Sequence, residues 1–597
     1  MRAPELVGAG GWLNTGGRAL SLAELRGKVV LLDFWTFCCV NCLHVLDELR
    51  PLEERFADVL VVVGVHSPKF AHEADHDAVA AAVERYGVHH PVLDDPGMVT
   101  WDQYAVRAWP TLAVVDPEGY VVHVASGEGH GPGLAQVIED LVAVHDAKGT
   151  LHRGDGPYVP PPVQSTALRF PGKVAVLADG TLLVTDTAHH SLVVLAADGG
   201  TELQRIGSGA RGWSDGAFDV ARFAEPQGVC TVDRNVFGVD VVVADTANHR
   251  LRGLRMDTGE VLTLAGTGEQ LRPGRPGGPA LSTALSTPWD VAEWNGRVAI
   301  AMAGTHQLWV YDGAQVSVVA GNANEGLRDG AADQAWLAQP SGLAADPQGR
   351  LWFADAETSA LRWLADGHVH TAIGSGLFDF GHRDGDAAQA LLQHPLGVTA
   401  LPDGSIAVLD TYNDAVRRYD PASGQVTTLA TGVREPSGGA VVDGQLVVVA
   451  SASHRLERPV APGAMSQLHG RPQRTQRPTT AVRAGAVELT VVFEPPAGQH
   501  LDEREGPATR LTVSASPEAL LVDGGGTATG LSRQIVLAKG IGDGVLHVAA
   551  FAASCDEAVE HPACHVTQQD WGIPLTLTAD GPARLALVLR GLDEQDE

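Results

Sequence analysis

The strongest constraint on the fold of this chain is that it repeats itself. Between residues 166 and 460, six segments open on a proline in similar settings: FPGKVAV (170–176), EPQGVCTV (225–232), TPWDVAE (287–293), QPSGLAA (339–345), HPLGVTA (394–400) and EPSGGAV (435–441), with the prolines 41 to 62 residues apart. Each leads to an apolar strand ending in a shared element: LLVTDTAHHSL, VVVADTANHRL, AIAMAGTHQL, LWFADAETSAL, IAVLDTYNDAV and VVVASASHRL. A third element, SDGAFDVARF, RDGAADQAWL or RDGDAAQALL, precedes three of the next starts. One such unit of short strands cannot bury both faces of its sheet, so the units must pack on one another. Six units of four-strand size close most naturally into a six-bladed β-propeller over 166–460. Asp186, Asp245, Asp355 and Asp410 recur at the strand ends, and recurrence favours a structural reading, a carboxylate accepting backbone N–H bonds in a turn. The third and sixth units lack this Asp, with Ala303 and Ser451 near its place.

The flanking regions read differently. Residues 1–150 alternate buried-strand runs, KVVLLDFW (28–35) and DVLVVVGVHS (58–67), with helical spacing. CVNCLHVLDELRPLEERF is the first helix, with Pro51 expected to kink or divide it. DHDAVAAAVERYGV (75–88) is a second helix, with Gly87 placed to end it. TLAVVDPEGYVVHVASGEG (111–129) is a strand, a turn and a strand, and GLAQVIEDLVAVHDA (133–147) a closing helix. This order is that of a small α/β domain. RGDGPYVPPPVQS (153–165) is a linker. After a basic connector, residues 485–591 alternate apolar and polar positions, so the segment 480–597 is expected to be an antiparallel β-sandwich-like domain.

A chain of 597 residues exceeds one hydrophobic core, and 44% hydrophobic with 19% charged residues fits folded domains. The net charge of −30 disfavours nucleic acid and anionic lipid, both of which require basic patches. No apolar run reaches the ~18 residues of a membrane span, and the N-terminal segment has no signal-type apolar run. Six cysteines are too few for a disulfide scaffold. A cytoplasmic protein is expected, without membrane or nucleic-acid partners.

Three of those cysteines crowd into FWTFCCVNC (34–42). Cys39 and Cys42 form a CxxC at the start of a helix that follows a buried strand. Residues three apart in a first turn share a face, which lets their sulfurs bond with little distortion. The helix N-terminus favours a thiolate on Cys39, which attacks a disulfide, and Cys42 then resolves the mixed disulfide. The spacing also suits half a zinc site, but zinc needs two further ligands at similar spacing. Cys230, Cys555 and Cys564 are remote in sequence, and His44 is the one nearby candidate, so no metal or cofactor is expected. A degenerate structural remnant is the third reading. Cys38 is a redox-regulatory candidate, able to reach Cys42 four residues on, or a small buried hydrophobe. Cys230 lies in an apolar strand and reads as core. Cys555 and Cys564 flank a hairpin turn and form a possible second thiol pair. Thr36, three residues before Cys39, also leaves open a peroxidatic setting.

VVLLDFWTFCCVNC resembles the thioredoxin superfamily, with Asp33, Phe34 and Trp35 matching its strand, and AWPTLAVVDPEG supplies its other landmark at Pro110–Thr111. The resemblance implies a cis-proline at Pro110, facing the cysteines and positioning an extended substrate. It also implies that Asp33 is a buried carboxylate that takes the proton of Cys42. Val40-Asn41 and Cys38 depart from the superfamily's common residues, so no potential carries over. The repeats resemble NHL repeats. FCCVNCLH, GVHSPKF, RYGVHHPV, WPTL, GEGH, IAMAGTHQ, QPSGL and HPLGV together resemble the NHL repeat-containing protein 2 family, and the chain is identified as a bacterial member of it. That resemblance implies a thioredoxin-like domain (1–150), a six-bladed NHL propeller and a C-terminal β-stranded domain, with a cleft suited to proteins or peptides. It implies a cytoplasmic thiol–disulfide oxidoreductase whose catalytic set is Cys39, Cys42, Asp33 and Pro110, its substrate a protein or peptide disulfide or thiol, and its electron donor an unidentified cytosolic one. The alternative is a scaffold whose propeller recruits partners while the CxxC reports redox state.

Overall fold

The structure, a computed structural model, describes residues 1–162, 165–271, 277–460, 472–473, 479–495, 499–501, 508–541, 543–556 and 564–590. The chain forms two compact units: Met1–Val163 with Thr475–Glu597, and Gln164–Arg474. Among the described residues, no helix is long and apolar enough to cross a membrane.

In the first unit, the N-terminal domain is a six-stranded sheet in the order β1-β4-β3-β2-β5-β6. Its strands are β1 Gly11–Leu13, β2 Val29–Trp35, β3 Leu60–His66, β4 Val92–Asp94, β5 Thr111–Val115 and β6 Val121–Ser126. Four helices, α1 Val40–Arg55, α2 His76–Arg85, α3 Val99–Gln103 and α4 Gly131–Lys148, complete it. The continuous apolar runs of β2 and β3 become the buried parallel pair at the sheet's centre. Sequence reading missed β1, β4 and α3, because three to five residues carry no measurable periodicity. Pro51 does not divide α1: the helix runs from Val40 through Arg55. Leu49 and Leu52, on either side of the proline, are buried against the sheet with Val45, and that packing offsets a local cost of about 3 kcal/mol.

The second unit is the propeller. Its innermost strands, Val174–Val176, Pro226–Thr231, Pro288–Trp294, Pro340–Ala345, Gly397–Ala400 and Pro436–Val442, neighbour one another in a closed ring in which the sixth meets the first. A hydrophobic core fills every junction between successive blades, including that of the sixth with the first. The residue closing each blade's 3₁₀ turn, His190, His249, His306, Ser359, Asp414 or His454, has φ between 49° and 56°. Its side chain accepts the N–H of the residue before the next blade's proline: Glu225, Thr287, Gln339, His394, Glu435 and, closing the ring, Phe170. The residue closing each turn is therefore a blade-to-blade latch.

The recurrent aspartates are structural. Asp186, Asp245, Asp355 and Asp410 accept the N–H of Arg169, Ala224, Ala338 and Gln393 at 2.6 to 2.8 Å. In blades two, four and five the other carboxylate oxygen holds a fully buried arginine, Arg252, Arg362 or Arg417. Each arginine also binds the Asp of the DG element, Asp215, Asp329 or Asp384. Strand register corrects the assignment in the deviant blades. Pro288 and Pro436 pair with Met302 and Ala450, as Pro226 pairs with Asp245, so those residues, and not Ala303 and Ser451, stand at the Asp position. In blade three Trp309 stands opposite Ile300 as Arg252 stands opposite Val243. Charge leaves both positions together, so no buried ion is left unpaired.

The C-terminal domain is two sheets closed over one core that contains Val487, Leu489 and Ile535 from one and Leu511, Leu546 and Ile573 from the other. Among the described residues its pairings are mostly antiparallel, with two parallel ones, Thr480–Arg483 on Cys564–Thr578 and Gly485–Glu494 on Arg584–Arg590.

Candidate functional site: the cysteine turn

The site is assembled where β2 ends and α1 begins. Cys39 is the N-cap of α1 and is partly exposed, whereas Cys42, one turn in, is fully buried. The Cys42 N–H bonds to the Cys39 carbonyl at 3.0 Å, which sets the two residues on one face. None of the three clustered cysteines is in a disulfide. The arrangement gives one accessible thiol and one sheltered behind it. Burial, the adjacent Cys39 and the carboxylate of Asp33 together push the Cys42 thiol well above its ordinary value.

Asp33 lies behind them on β2, fully buried, in register with Gly64 on β3 and Leu112 on β5. Neither carboxyl oxygen has a hydrogen-bond partner among the described residues. Burial, reinforced by Glu53 and Glu48, pushes its pKa up to about 8. A carboxyl in that range, beside a thiol, can hold or release a proton at neutral pH.

The Trp109–Pro110 bond is cis. Trp109 Nε1 donates to the Ser67 carbonyl at 2.9 Å, the Pro110 carbonyl accepts from the Gly127 N–H at 2.9 Å, and Thr111 Oγ1 donates to the Ala108 carbonyl at 2.8 Å. The C-terminal domain flanks this loop: Ala108 is buried in that domain's core cluster, and the Gln569 side chain packs over Gly127.

Cys38 is buried, and its N–H donates to Glu73 Oε1 at 2.9 Å. The other Glu73 oxygen accepts from the N–H groups of Lys69 and Phe70, so this fully buried carboxylate pins the cysteine turn to the segment after β3. His44 pairs with Glu128; burial lowers its pKa, but Glu128, Glu48 and Asp47 outweigh this and raise it. It faces carboxylates and forms an ion pair with Glu128. His66, packed between Trp35 and Phe37, has a pKa lowered to about 3 by burial and stays neutral.

Sequence reading missed Glu73, which acts from 35 residues away, and His66. Cys230 is partly buried against the blade-two core. Cys555 and Cys564 stand opposite one another in the backbone register of their hairpin, but their side chains lie outside the described residues. Elsewhere in the N-terminal domain, Asp116, Glu118 and His145 bring ligand atoms within 4.8 Å of one another, but Lys148 already pairs with Glu118 at 3.1 Å. A cation is thus supplied by the chain itself.

Two families match this chain: one described as thioredoxin-like over residues 27–121, the other as NHL repeat over 168–195. The chain is 37% identical over 497 residues to Protein SUPPRESSOR OF QUENCHING 1, chloroplastic, of Arabidopsis thaliana, covering 76% of this chain and 46% of that protein. It is 36% identical over 472 residues to NHL repeat-containing protein 2 of Gallus gallus, covering 72% of this chain and 64% of that one. It therefore spans about half to two thirds of those relatives' length. Over 114 residues, 19% of this chain and 61% of the relative, it is 28% identical to thiol-disulfide oxidoreductase ResA of Halalkalibacterium halodurans.

Proposed function

We propose, on the premise that this chain is a homologue of NHL repeat-containing protein 2 joining a thioredoxin-like domain to NHL repeats, that it exchanges thiols and disulfides with a protein or peptide substrate in a reducing compartment such as the cytoplasm. The observation that carries this reading is the division of labour between the two thiols. Cys39, partly exposed at the N-cap, attacks. Cys42, buried and held protonated, stays unreactive until a mixed disulfide forms beside it, and Asp33 takes its proton at that moment. A sheltered resolving thiol prevents premature attack on other disulfides. Pro110 and its neighbours present backbone to an extended substrate. Ala108 and Gln569 give the C-terminal domain a place beside that loop, which supports a role for it in choosing the substrate. Cys38, held at the same turn, is the candidate regulatory thiol, and Cys555 with Cys564 a candidate second couple. An unidentified cytosolic dithiol donor returns the protein to its reduced form.

The test is a redox titration in dithiothreitol buffers, reading each thiol by alkylation and mass spectrometry, with Cys39→Ser and Cys38→Ser alongside. Cys39 and Cys42 are expected to titrate as one two-electron couple that Cys39→Ser abolishes and Cys38→Ser leaves. Thiols that neither pair nor respond across the range would leave the protein a binding scaffold.

A further inference from the structure

On the sheet face covered by α1, Asp33 and Gly64 are register neighbours, and residues in register share a face. Gly64 brings no side chain there. A Cβ at Gly64 would stand 2.9 Å from Trp35 Nε1 and 3.3 Å from His90 Nε2, so those two nitrogens border the space beside Asp33. Both are buried, as are the two carboxyl oxygens of Asp33, and none of the four atoms has a hydrogen-bond partner among the described residues. Buried polar atoms are almost always bonded to protein or to ordered water, and a site with several convergent polar atoms is one that holds water. His90 turns its other ring nitrogen, Nδ1, to Glu53 Oε1 at 3.1 Å, and Glu53 is partly exposed on α1.

We propose that His90 and Glu53, through water held against Gly64, carry the Cys42 proton between Asp33 and solvent, which makes them proton-relay residues of the thiol exchange. The inference rests on the oxidoreductase reading above. In the resolving step the Cys42 thiol gives its proton to the Asp33 carboxylate while its sulfur attacks Cys39. The Cys39–Cys42 bond forms, the bond from Cys39 to the substrate sulfur breaks, and the substrate leaves as a thiolate that is protonated from solvent. The cysteine pair is oxidised by two electrons and the substrate disulfide reduced by two. Asp33 then passes its proton through water to His90 Nε2, and the Nδ1 proton of the same ring moves to Glu53 and on to bulk water. When a dithiol donor reduces the pair again, the same groups run in reverse and return both Cys42 and the His90 tautomer to their starting states.

The placement explains why a relay is needed. Asp33 is fully buried, with Glu53 and Glu48 of α1 and the Cys42 thiol as its charged or ionisable neighbours, and with His90 Nε2 bordering the adjoining space at Gly64. Its proton has no direct route to solvent. His66 is buried with no hydrogen-bond partner on either nitrogen among the described residues, whereas His90 connects the interior to a partly exposed carboxylate.

The test uses the full chain with Cys38, Cys230, Cys555 and Cys564 each replaced by serine, so that Cys39 and Cys42 are its only thiols, reduced and then mixed with 5,5′-dithiobis(2-nitrobenzoic acid) in stopped flow. The first thionitrobenzoate released reports attack by Cys39, and the second reports resolution by Cys42. His90→Gln is expected to slow the second release at least about tenfold at pH 7, leave the first unchanged, and regain speed when imidazole is added. Asp33→Asn is expected to slow the same phase, and the double variant to be no slower than Asp33→Asn alone, because groups in series do not add. Glu53→Gln, at a partly exposed position, repeats the test if His90→Gln does not fold. A second release at wild-type speed in His90→Gln and Glu53→Gln, or effects that multiply with Asp33→Asn, overturns the relay while the oxidoreductase reading stands. If the parent chain with Cys39 and Cys42 alone gives no second release, the oxidoreductase reading falls and the relay with it.

Discussion

A carboxyl group pushed to about 8 changes how the folded protein responds to pH. Below its unfolded value of 3.8, Asp33 is neutral in both states and costs nothing electrostatically. As pH rises from 3.8 to about 8, the unfolded chain has released the proton while the folded protein still holds it, so the stability present in acid is progressively lost until the folded group titrates as well. The loss is on the order of 5 kcal/mol across that window and constant above it. Asp33→Asn removes the charge and keeps the shape. The variant is expected to unfold at nearly the wild-type urea concentration at pH 4, and to be more stable than wild type by a few kcal/mol at pH 9. An equal difference at both pH values would mean that Asp33 is not held neutral by burial. Asp33, Cys39, Cys42 and Pro110 were legible in the sequence because the strand, the turn and the proline stand at a recognisable spacing. Glu73 and His90 were not. Each reaches the site through space, Glu73 from a short 3₁₀ turn and His90 from a loop, and neither position has a pattern to mark it.

The blade is the element on which the repeat acts, and its motif letters acquire meanings only between blades. In the sequence, the histidine of VVVADTANHRL has no role of its own. In the structure His249 Nδ1 accepts the N–H of Thr287 across the junction at 3.0 Å, while its own backbone sits at φ 50°. Both demands fall on one residue, which is why His, Ser and Asp fill the six positions: each carries an acceptor close to the backbone, and His and Asp are several-fold enriched in this left-handed conformation. His249→Ala loses the acceptor, so the Thr287 N–H must find water or remain unpaired, at a cost of about 1–3 kcal/mol. His249→Asn retains an acceptor and a residue suited to positive φ, and is expected to recover most of that loss. Thermal unfolding of the two variants beside wild type reads the difference; equal losses would show that the hydrogen bond contributes nothing. The deviant third blade teaches the same lesson. Its missing Asp was visible in the sequence, but the compensating Met302 and Trp309 emerge only from register.

At the scale of the whole molecule, repetition announced the ring, but the device that closes its centre is a break in the repetition. Two residues after the blade's proline, blade one carries Lys173 and blade three Asp290, where the other four blades have glycine. The Lys173 ammonium, almost wholly buried, donates to the carbonyls of Ser341 at 3.1 Å, Ser437 at 2.6 Å and Leu396, and lies 3.6 Å from the Asp290 carboxylate. One side chain thus ties the first blade to the third, fourth, fifth and sixth. Burial lowers the Lys173 pKa and raises that of Asp290, and each group opposes the other's shift. Removing the ammonium leaves a buried carboxylate and three inward carbonyls without their cation, a loss of about 3–5 kcal/mol. Four oxygens converging on one point are also the donor set of a hard cation. Lys173→Ala is therefore expected to melt well below wild type and to regain stability in millimolar calcium, while wild type, whose cation is covalently attached, shows no calcium response. Asp290→Asn added to Lys173→Ala is expected to abolish the calcium effect, because a carboxamide supplies no charge to hold the ion. A Lys173→Ala variant as stable as wild type, or a calcium response shared by both, would show that the central lysine fills space and does not bind the blades together.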